Sequence, residues 1–212
     1  SKFKNKSAGT FGDASAISFY PAKVLGCFGD GGIFLTNSSE IYNKGFQIHD
    51  HGRDPDGELQ SWGRNSRLDS LNARVILERL KKLDSLIFMR RELANVYYEN
   101  LKILEKRSLL NLPAKFSTNS DSLGTFQNFE IKAKDRDKLI SFLYKNGVST
   151  IKQWGGYSIA HFSKLGFNIN EFPSTKKMFN QLMLLPLNHM MKIEEVKYIS
   201  DTILSFYKDY DD

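Results

Sequence analysis

A short apolar run that leads into a loop of proline and glycine constrains the fold most strongly. Residues 14–19 have the composition of a buried β-strand, and residues 32–36 (Gly-Ile-Phe-Leu-Thr) have the composition of a second one. Between these runs, Pro21 and residues 29–32 (Gly-Asp-Gly-Gly) interrupt regular structure. The pattern therefore predicts two short buried strands that flank a tight loop.

One lysine, Lys23, lies in this loop directly after Tyr20-Pro21-Ala22. Burial among apolar neighbours disfavours the ammonium form of a lysine, and the neutral amine can attack an aldehyde to form a Schiff base. Enzymes that use pyridoxal phosphate (PLP) depend on such a lysine. Taken alone, the residues leave an ordinary surface lysine open as the alternative.

Two blocks of sequence, in this order, resemble one family of PLP enzymes. The first block comprises residues 9–13 (Gly-Thr-Phe-Gly-Asp), 18–23 (Ser-Phe-Tyr-Pro-Ala-Lys) and 29–32, and the second comprises 51–53 (His-Gly-Arg) and 63–71 (Gly-Arg-Asn-Ser-Arg-Leu-Asp-Ser-Leu). On these motifs the chain is identified as a member of the DegT/DnrJ/EryC1/StrS family of sugar aminotransferases. The resemblance continues to residues 184–187 (Leu-Leu-Pro-Leu).

The resemblance implies an α/β fold, the PLP-dependent transferase fold of the aspartate aminotransferase type (fold type I). Residues 1–110 are then the C-terminal part of the large PLP-binding domain, with the lysine loop and a long interdomain helix. Residues 111–212 are a small α+β domain. Relatives carry a large N-terminal part before the segment that matches residues 9–23, so we expect the C-terminal portion of a longer enzyme or a truncated product.

The function implied by the resemblance is PLP-dependent transfer of an amino group, with glutamate as the expected donor, to a nucleotide-linked keto-sugar. Such enzymes provide amino sugars for cell-surface polysaccharide or lipopolysaccharide. A related dehydratase branch has histidine in place of the lysine, and Lys23 argues against that branch. The alternative is a truncated, catalytically incomplete member that cannot bind PLP without its missing N-terminal part.

Three residues receive roles from the resemblance. Lys23 is the catalytic Schiff-base lysine, and Ser18 binds the cofactor phosphate, although a strand-end serine bonded to backbone is the plain alternative. Asn65 reaches the phosphate of the partner subunit's cofactor, which implies a homodimer with shared active sites. From the residues alone, Asn65 is a helix N-cap or turn asparagine.

Other polar residues give weaker signals. His49, His51 and Arg53 lie in a polar loop, where a substrate or phosphate contact stays open. Two histidines without a thiol or acidic partner are too few for a metal site, so no metal is predicted. Two interpretations of Trp154-Gly-Gly-Tyr157 stay open, the lining of a sugar pocket and internal packing, and packing is the more common role of an aromatic residue beside glycines. Arg74 stands where relatives have a small residue, which leaves the dimer geometry open.

The composition excludes other classes of function. The 30 basic and 24 acidic residues give a net charge of +6, which suits an anionic ligand. The basic residues are spread along the chain without a nucleic-acid-binding motif, so no nucleic-acid partner is expected. No apolar run has transmembrane length, and no membrane association is expected. The chain has a single cysteine, Cys27, so it cannot form an internal disulfide, and a cytoplasmic location is expected. Cys27 itself is interpreted as a loop-packing residue.

Periodicity predicts the remaining elements. These are a helix at 38–48 capped by Asn37 or Ser38, a loop at 49–62, a long helix at 68–101 that is broken or bent, strands at 126–132 and 148–151, and helices at 135–146, 173–182 and 193–208.

Overall fold

The computed structural model describes residues 1–210 of the chain. The strands are β1 (Lys2–Phe3), β2 (Lys6–Ser7), β3 (Ala14–Ser18), β4 (Gly32–Thr36), β5 (Leu110–Asn111), β6 (Ser122–Leu123), β7 (Phe129–Ala133) and β8 (Leu182–Leu185). The helices are α1 (Ser39–His49), α2 (Ser70–Leu80), α3 (Leu83–Lys106), α4 (Arg136–Lys145), α5 (Pro173–Gln181) and α6 (Ile193–Phe206). Short 3-10 turns occupy Ala8–Thr10, Gln153–Gly156, Ile159–His161, Ser163–Leu165 and Ile169–Glu171.

The chain divides into two units. Unit 1 comprises Ser1–Ile87 and Ser117–Thr125, and unit 2 comprises Phe88–Phe116 and Phe126–Asp212. The assignment of domains at 1–110 and 111–212 stays a prediction.

The two strands that flank the lysine loop form close to their predicted positions in unit 1. Strands β3 and β4 pair antiparallel, from Ala14 opposite Thr36 to Ser18 opposite Gly32. Their predicted burial is wrong, because most of their residues are exposed. The pair forms a sheet of only two strands, and two strands do not bury both faces of a sheet.

Side-chain caps fix where the helices of unit 1 begin. The Ser38 hydroxyl accepts a hydrogen bond from the Ile41 N–H at 3.3 Å, which selects Ser38 as the cap of α1. An Asp69 carboxylate oxygen accepts from the Leu71 N–H at 2.8 Å and starts α2. The predicted break in the long helical region is confirmed, since α2 ends at Leu80 and α3 begins at Leu83.

Unit 2 contains a three-stranded antiparallel sheet of order β5-β7-β8. Along β7, Phe129, Ile131 and Ala133 are buried while the residues between them are half-buried. Twenty buried residues form the core around this sheet: Leu93, Ala94, Tyr97, Leu101, Leu104, Leu109, Leu110, Leu112, Phe129, Ile131, Ala133, Leu139, Leu143, Val148, Met183, Leu185, Val196, Ile199, Ile203 and Tyr207.

One predicted strand of unit 2 is wrong. Residues 148–151 form no strand, and only Ile151 makes an isolated bridge, to Leu184. The edge position beside β7 is taken by β8, whose four residues are all apolar. Periodicity did not separate this run from the preceding helix, because four apolar residues are too few to define a period.

A buried arginine joins separate parts of unit 2. Arg90 donates from Nη1 to the carbonyl oxygens of Phe126, Gln127 and Leu187, each at 3.1 Å. Burial lowers the pKa of Arg90. The three carbonyl groups satisfy one end of its guanidinium in the interior.

Candidate active site

The loop that carries Lys23 is closed by its own backbone. The Phe19 N–H donates to the Gly31 carbonyl and the Cys27 N–H donates to the Phe19 carbonyl, both at 2.8 Å. Inside this frame, the Lys23 N–H donates to the Tyr20 carbonyl at 2.8 Å and forms a turn. The side chain of Lys23 is exposed. The apolar surroundings expected for this lysine are therefore not supplied by the described residues.

Two glycines allow the loop to fold this tightly. A Cβ at Gly26 would lie 2.6 Å from the Pro21 carbonyl oxygen, which is closer than real side chains approach. A Cβ at Gly31 would lie 2.9 Å from the Cys27 sulfur. Cys27 is buried, and its thiol donates to the Phe19 carbonyl at 3.1 Å. The interpretation of Cys27 as a loop-packing residue is confirmed.

Helix α2 holds the outer side of the loop. The Asn72 side-chain oxygen accepts a hydrogen bond from the Phe28 N–H at 3.1 Å. Arg79 donates from Nη1 to the Gly26 carbonyl at 2.8 Å. Between them, Ile76 packs with Phe19 and Cys27 in the small core of unit 1. These three helix positions share one face of α2 and fix the loop to it.

Sequence reasoning missed the roles of Asn72 and Arg79. The spacing of residues 72, 76 and 79 is the one signal that could have found them, since positions four and seven apart share a helical face. Arg74, which stands where relatives have a small residue, is exposed and forms an ion pair with Glu78 at 2.7 Å. Hydrogen bonding from Lys81 and the charge of Arg74 lower the pKa of Glu78.

Ser18 ends strand β3 and is exposed. Its hydroxyl oxygen accepts a hydrogen bond from the Tyr20 N–H at 3.2 Å. This is the backbone contact of the plain alternative, but it uses only a lone pair and leaves the hydroxyl proton available. The phosphate-binding role of Ser18 stays a prediction.

Asn65 lies in an ordered loop and not at a helix start. It pairs with Asp50 through an isolated β-bridge, and the neighbouring Arg64 N–H donates to the Ile48 carbonyl at 2.7 Å. The N-cap interpretation of Asn65 is wrong, because Asp69 caps α2. Its side chain is exposed, and its role at a partner subunit stays a prediction.

A glycine contact shapes the loop that precedes Asn65. Gly52 has φ +86°, and a Cβ there would overlap the carbonyl oxygen of Ser61. The backbone segments around Gly52 and Ser61 can approach this closely only because Gly52 has no side chain. Gly63 is equally confined, against the backbone of Gly52.

The charged groups of this loop lie close to one another without forming a metal site. His49 donates from Nδ1 to the Phe46 carbonyl at 2.6 Å. Arg67 lies 3.4 Å and His51 3.9 Å from the same carboxylate oxygen of Asp50. Within residues 1–210, no group of three or more histidine, cysteine, aspartate or glutamate side chains is placed to hold a metal ion. No helix in this part of the chain is both long and apolar enough to cross a bilayer.

The chain matches a family of known aminotransferases. The match to the DegT/DnrJ/EryC1/StrS aminotransferase family covers residues 1–204. The chain is 29% identical to a pleiotropic regulatory protein of Geobacillus stearothermophilus, over 99% of this chain and 56% of that protein. It is 30% identical to the dTDP-3-amino-3,4,6-trideoxy-alpha-D-glucose transaminase of Micromonospora megalomicea subsp. nigra, over 85% of this chain and 48% of that enzyme.

Solved structures agree with this match. The crystal structure of S. venezuelae DesV in complex with a ketimine intermediate superposes with a TM-score of 0.88 at 27% identity, covering 99% of this chain and 56% of that one. This likeness confirms the predicted α/β fold of the aspartate aminotransferase type. The chain spans about half the length of the curated relatives it matches.

Proposed function

Because the chain belongs to the DegT/DnrJ/EryC1/StrS aminotransferase family, we propose that it forms the lysine-bearing part of a PLP-dependent sugar aminotransferase. The observation that carries the proposal is the loop that presents Lys23, which glycine contacts and helix α2 hold in one conformation. A fixed loop suits a catalytic amine, since catalysis requires a defined position for the reacting group.

The residues of the loop fit PLP. Lys23 offers an exposed amine. Ser18 offers a hydroxyl proton that its contact with Tyr20 leaves available, and a hydroxyl can donate a charge-assisted hydrogen bond to a phosphate oxygen. Lys23 would hold the cofactor and Ser18 would bind its phosphate.

PLP, when bound, supplies an aldehyde that reacts with amines and a ring that withdraws electrons from the reacting carbon. The chain itself would supply the proton transfers. Once its Nζ is free, Lys23 would accept a proton from the amino donor and return a proton to the keto-sugar carbon. Exposure of Nζ on the surface of unit 1 leaves it open to both partners of the reaction.

The proposed acceptor is a nucleotide-linked keto-sugar, with glutamate as the amino donor. A relative is named as a transaminase of a dTDP-linked amino sugar, which supports this substrate class. The net charge of +6 favours an anionic nucleotide ligand. The product would enter the synthesis of amino sugars for cell-surface polysaccharide.

We further propose a homodimer in which Asn65 contacts the cofactor phosphate of the partner. The support is its exposed position in a loop that the Gly52 contact makes rigid. An amide N–H₂ can donate to a phosphate oxygen of a neighbouring subunit without a change in the loop.

A second candidate function is favoured by the exposure of strands β3 and β4. These strands flank the lysine loop, yet Ile17, Ile33 and Phe34 are each more than 40% exposed. If another polypeptide must cover them before PLP can bind, this chain alone is a catalytically incomplete family member.

The test is the site of covalent PLP attachment. The folded 212-residue chain is mixed with PLP, reduced with borohydride and digested, and the phosphopyridoxyl group is located by mass spectrometry. We expect the label on Lys23, with loss in Lys23→Ala and no loss in Lys44→Ala, a matched exposed lysine of unit 1. Equal labelling of many surface lysines would contradict a PLP site on this chain and favour the incomplete member.

A further inference from the structure

The backbone of Tyr20 joins the two residues that are proposed to hold the cofactor. The Tyr20 N–H donates to the Ser18 hydroxyl oxygen at 3.2 Å, and the Tyr20 carbonyl accepts from the Lys23 N–H at 2.8 Å. Both cofactor residues are thus hydrogen-bonded to the same residue. A contact that fixes the Tyr20 backbone therefore also fixes the backbone of Lys23 relative to the Ser18 hydroxyl.

Gly26 packs directly against this backbone. A Cβ at Gly26 would lie 2.7 Å from the Tyr20 carbonyl oxygen and 2.6 Å from that of Pro21, so only a residue without a side chain fits there. On the next residue, the Cys27 N–H donates to the Phe19 carbonyl at 2.8 Å. The position of Gly26 therefore determines how freely the Tyr20 backbone can move.

Arg79 holds Gly26 from outside the loop. Its Nη1 donates to the Gly26 carbonyl at 2.8 Å, across 53 positions of sequence. A hydrogen bond from a charged donor is stronger than one between neutral groups. Helix α2, which carries Arg79 in its last turn, is itself packed on the small core of unit 1 through Ile76. The guanidinium thus links the lysine loop to a fixed support.

We propose that Arg79 is a positioning residue for the lysine site. Through Gly26 and Tyr20, it sets the place of the Lys23 amine relative to the Ser18 hydroxyl. This inference rests on the proposed function. PLP would react with one of these groups and be held by the other, so a fixed separation between them removes an entropy cost of binding. Arg79 would act through the loop backbone and not on the cofactor itself.

The test compares PLP with pyridoxal, which has the same aldehyde and lacks the phosphate. The folded 212-residue chain is treated with each aldehyde and with borohydride, and the label on Lys23 is quantified by mass spectrometry. The ratio of PLP to pyridoxal labelling at Lys23 measures how well the amine and the phosphate site act together. Arg79→Met keeps an unbranched stem and removes the donor, so the ratio should fall about tenfold.

Two further variants serve as the rescue and the control. Arg79→Lys keeps a charged N–H donor and should restore most of the ratio. Arg74→Met is the matched control, because Arg74 is an exposed arginine of the same helix that pairs with Glu78. It should leave the ratio unchanged. A fall in the ratio for Arg74→Met equal to that for Arg79→Met would overturn the inference.

A purely structural role of Arg79 gives a different result. If Arg79 only stabilised the fold, molecules of Arg79→Met that stay folded would keep the ratio and would differ only in the free energy of unfolding. That outcome would overturn the inference. Amide exchange of the Lys23 N–H, measured without PLP, should become faster in Arg79→Met and stay unchanged in Arg74→Met. An unchanged exchange rate in Arg79→Met would contradict the link through Tyr20.

Failure of this inference can be told apart from failure of the proposed function. If the unmodified chain showed no preference of PLP for Lys23 over other exposed lysines, the proposed PLP site would be contradicted, and the role of Arg79 with it. Selective PLP labelling of Lys23 that Arg79→Met retains in full would leave the proposed function in place and remove only the positioning role.

Discussion

Unit 1 and unit 2 are ordered by different forces. In the part of unit 2 that the structure describes, twenty residues are buried in one apolar core around a three-stranded sheet. Unit 1 buries three apolar side chains, those of Phe19, Cys27 and Ile76. The lysine loop thus depends on backbone hydrogen bonds and close glycine contacts, whereas unit 2 depends on the removal of apolar surface from water.

Unit 1 also leaves large apolar side chains on its surface. Its exposed large apolar side chains are Phe3, Phe11, Ile17, Tyr20, Phe28, Ile33, Phe34, Tyr42, Ile48, Leu59, Trp62, Leu71, Leu77 and Leu80. Contiguous exposed apolar surface marks an interaction site when it is large. Unit 1 is therefore expected to respond to changes in single contacts, and unit 2 to changes in side-chain volume.

The largest expected effect is a core truncation in unit 2. Ile131 is fully buried in β7, and Ile131→Ala should reduce the free energy of unfolding of unit 2 by about 3 kcal/mol. Ile33→Ala, at a half-exposed position of β4, should cost less than about 1 kcal/mol. Urea unfolding, monitored by hydrogen exchange in each unit, measures the change in the free energy of unfolding for both variants. Similar costs for the two variants would break the comparison.

A glycine substitution should be nearly as severe in unit 1. Gly52→Ala adds a Cβ that would overlap the Ser61 carbonyl oxygen, and we expect a local loss of about 3 kcal/mol in the loop before Asn65. Gly57→Ala is the control, because Gly57 has φ +90° but open space around it, and strain alone costs about 1 kcal/mol. Amide exchange of the His51 N–H reports the difference. Equal protection in both variants would mean that the close contact does not hold the loop.

A smaller effect is expected where helix α2 holds the lysine loop. Asn72→Ala removes the acceptor of the Phe28 N–H and should weaken protection of that amide by about 1 kcal/mol. Arg74→Ala removes an exposed ion pair on the same helix. This variant should change the protection of the Phe28 amide by less than about 0.5 kcal/mol. An equal loss of Phe28 amide protection in the two variants would contradict the expectation that single contacts order unit 1.

The smallest effect, of opposite sign, is expected at Trp154. Trp154→Gly relieves a left-handed backbone at an exposed site and should leave unit 2 as stable or up to about 1 kcal/mol more stable. Thermal unfolding of unit 2 measures it. A clear loss of stability would show that the indole packs as part of the fold.

Much of the local structure could be predicted from neighbouring residues. Strand β3, the cap Ser38 and the break between α2 and α3 follow from apolar composition, capping chemistry and periodicity. The four-residue strand β8 could not, because its apolar run carries no period and its partner Phe129 is more than fifty positions away.

The candidate site likewise has features that neighbouring residues determine and features that depend on distant segments. The sequence by itself determined that a glycine-rich loop presents Lys23 after a strand, since turn formation depends on residues a few positions apart. Only the tertiary structure decided that Asn72 and Arg79 hold that loop and that Lys23 is exposed. Burial and side-chain partners depend on segments distant in sequence, and the Phe28–Asn72 bond spans 44 positions.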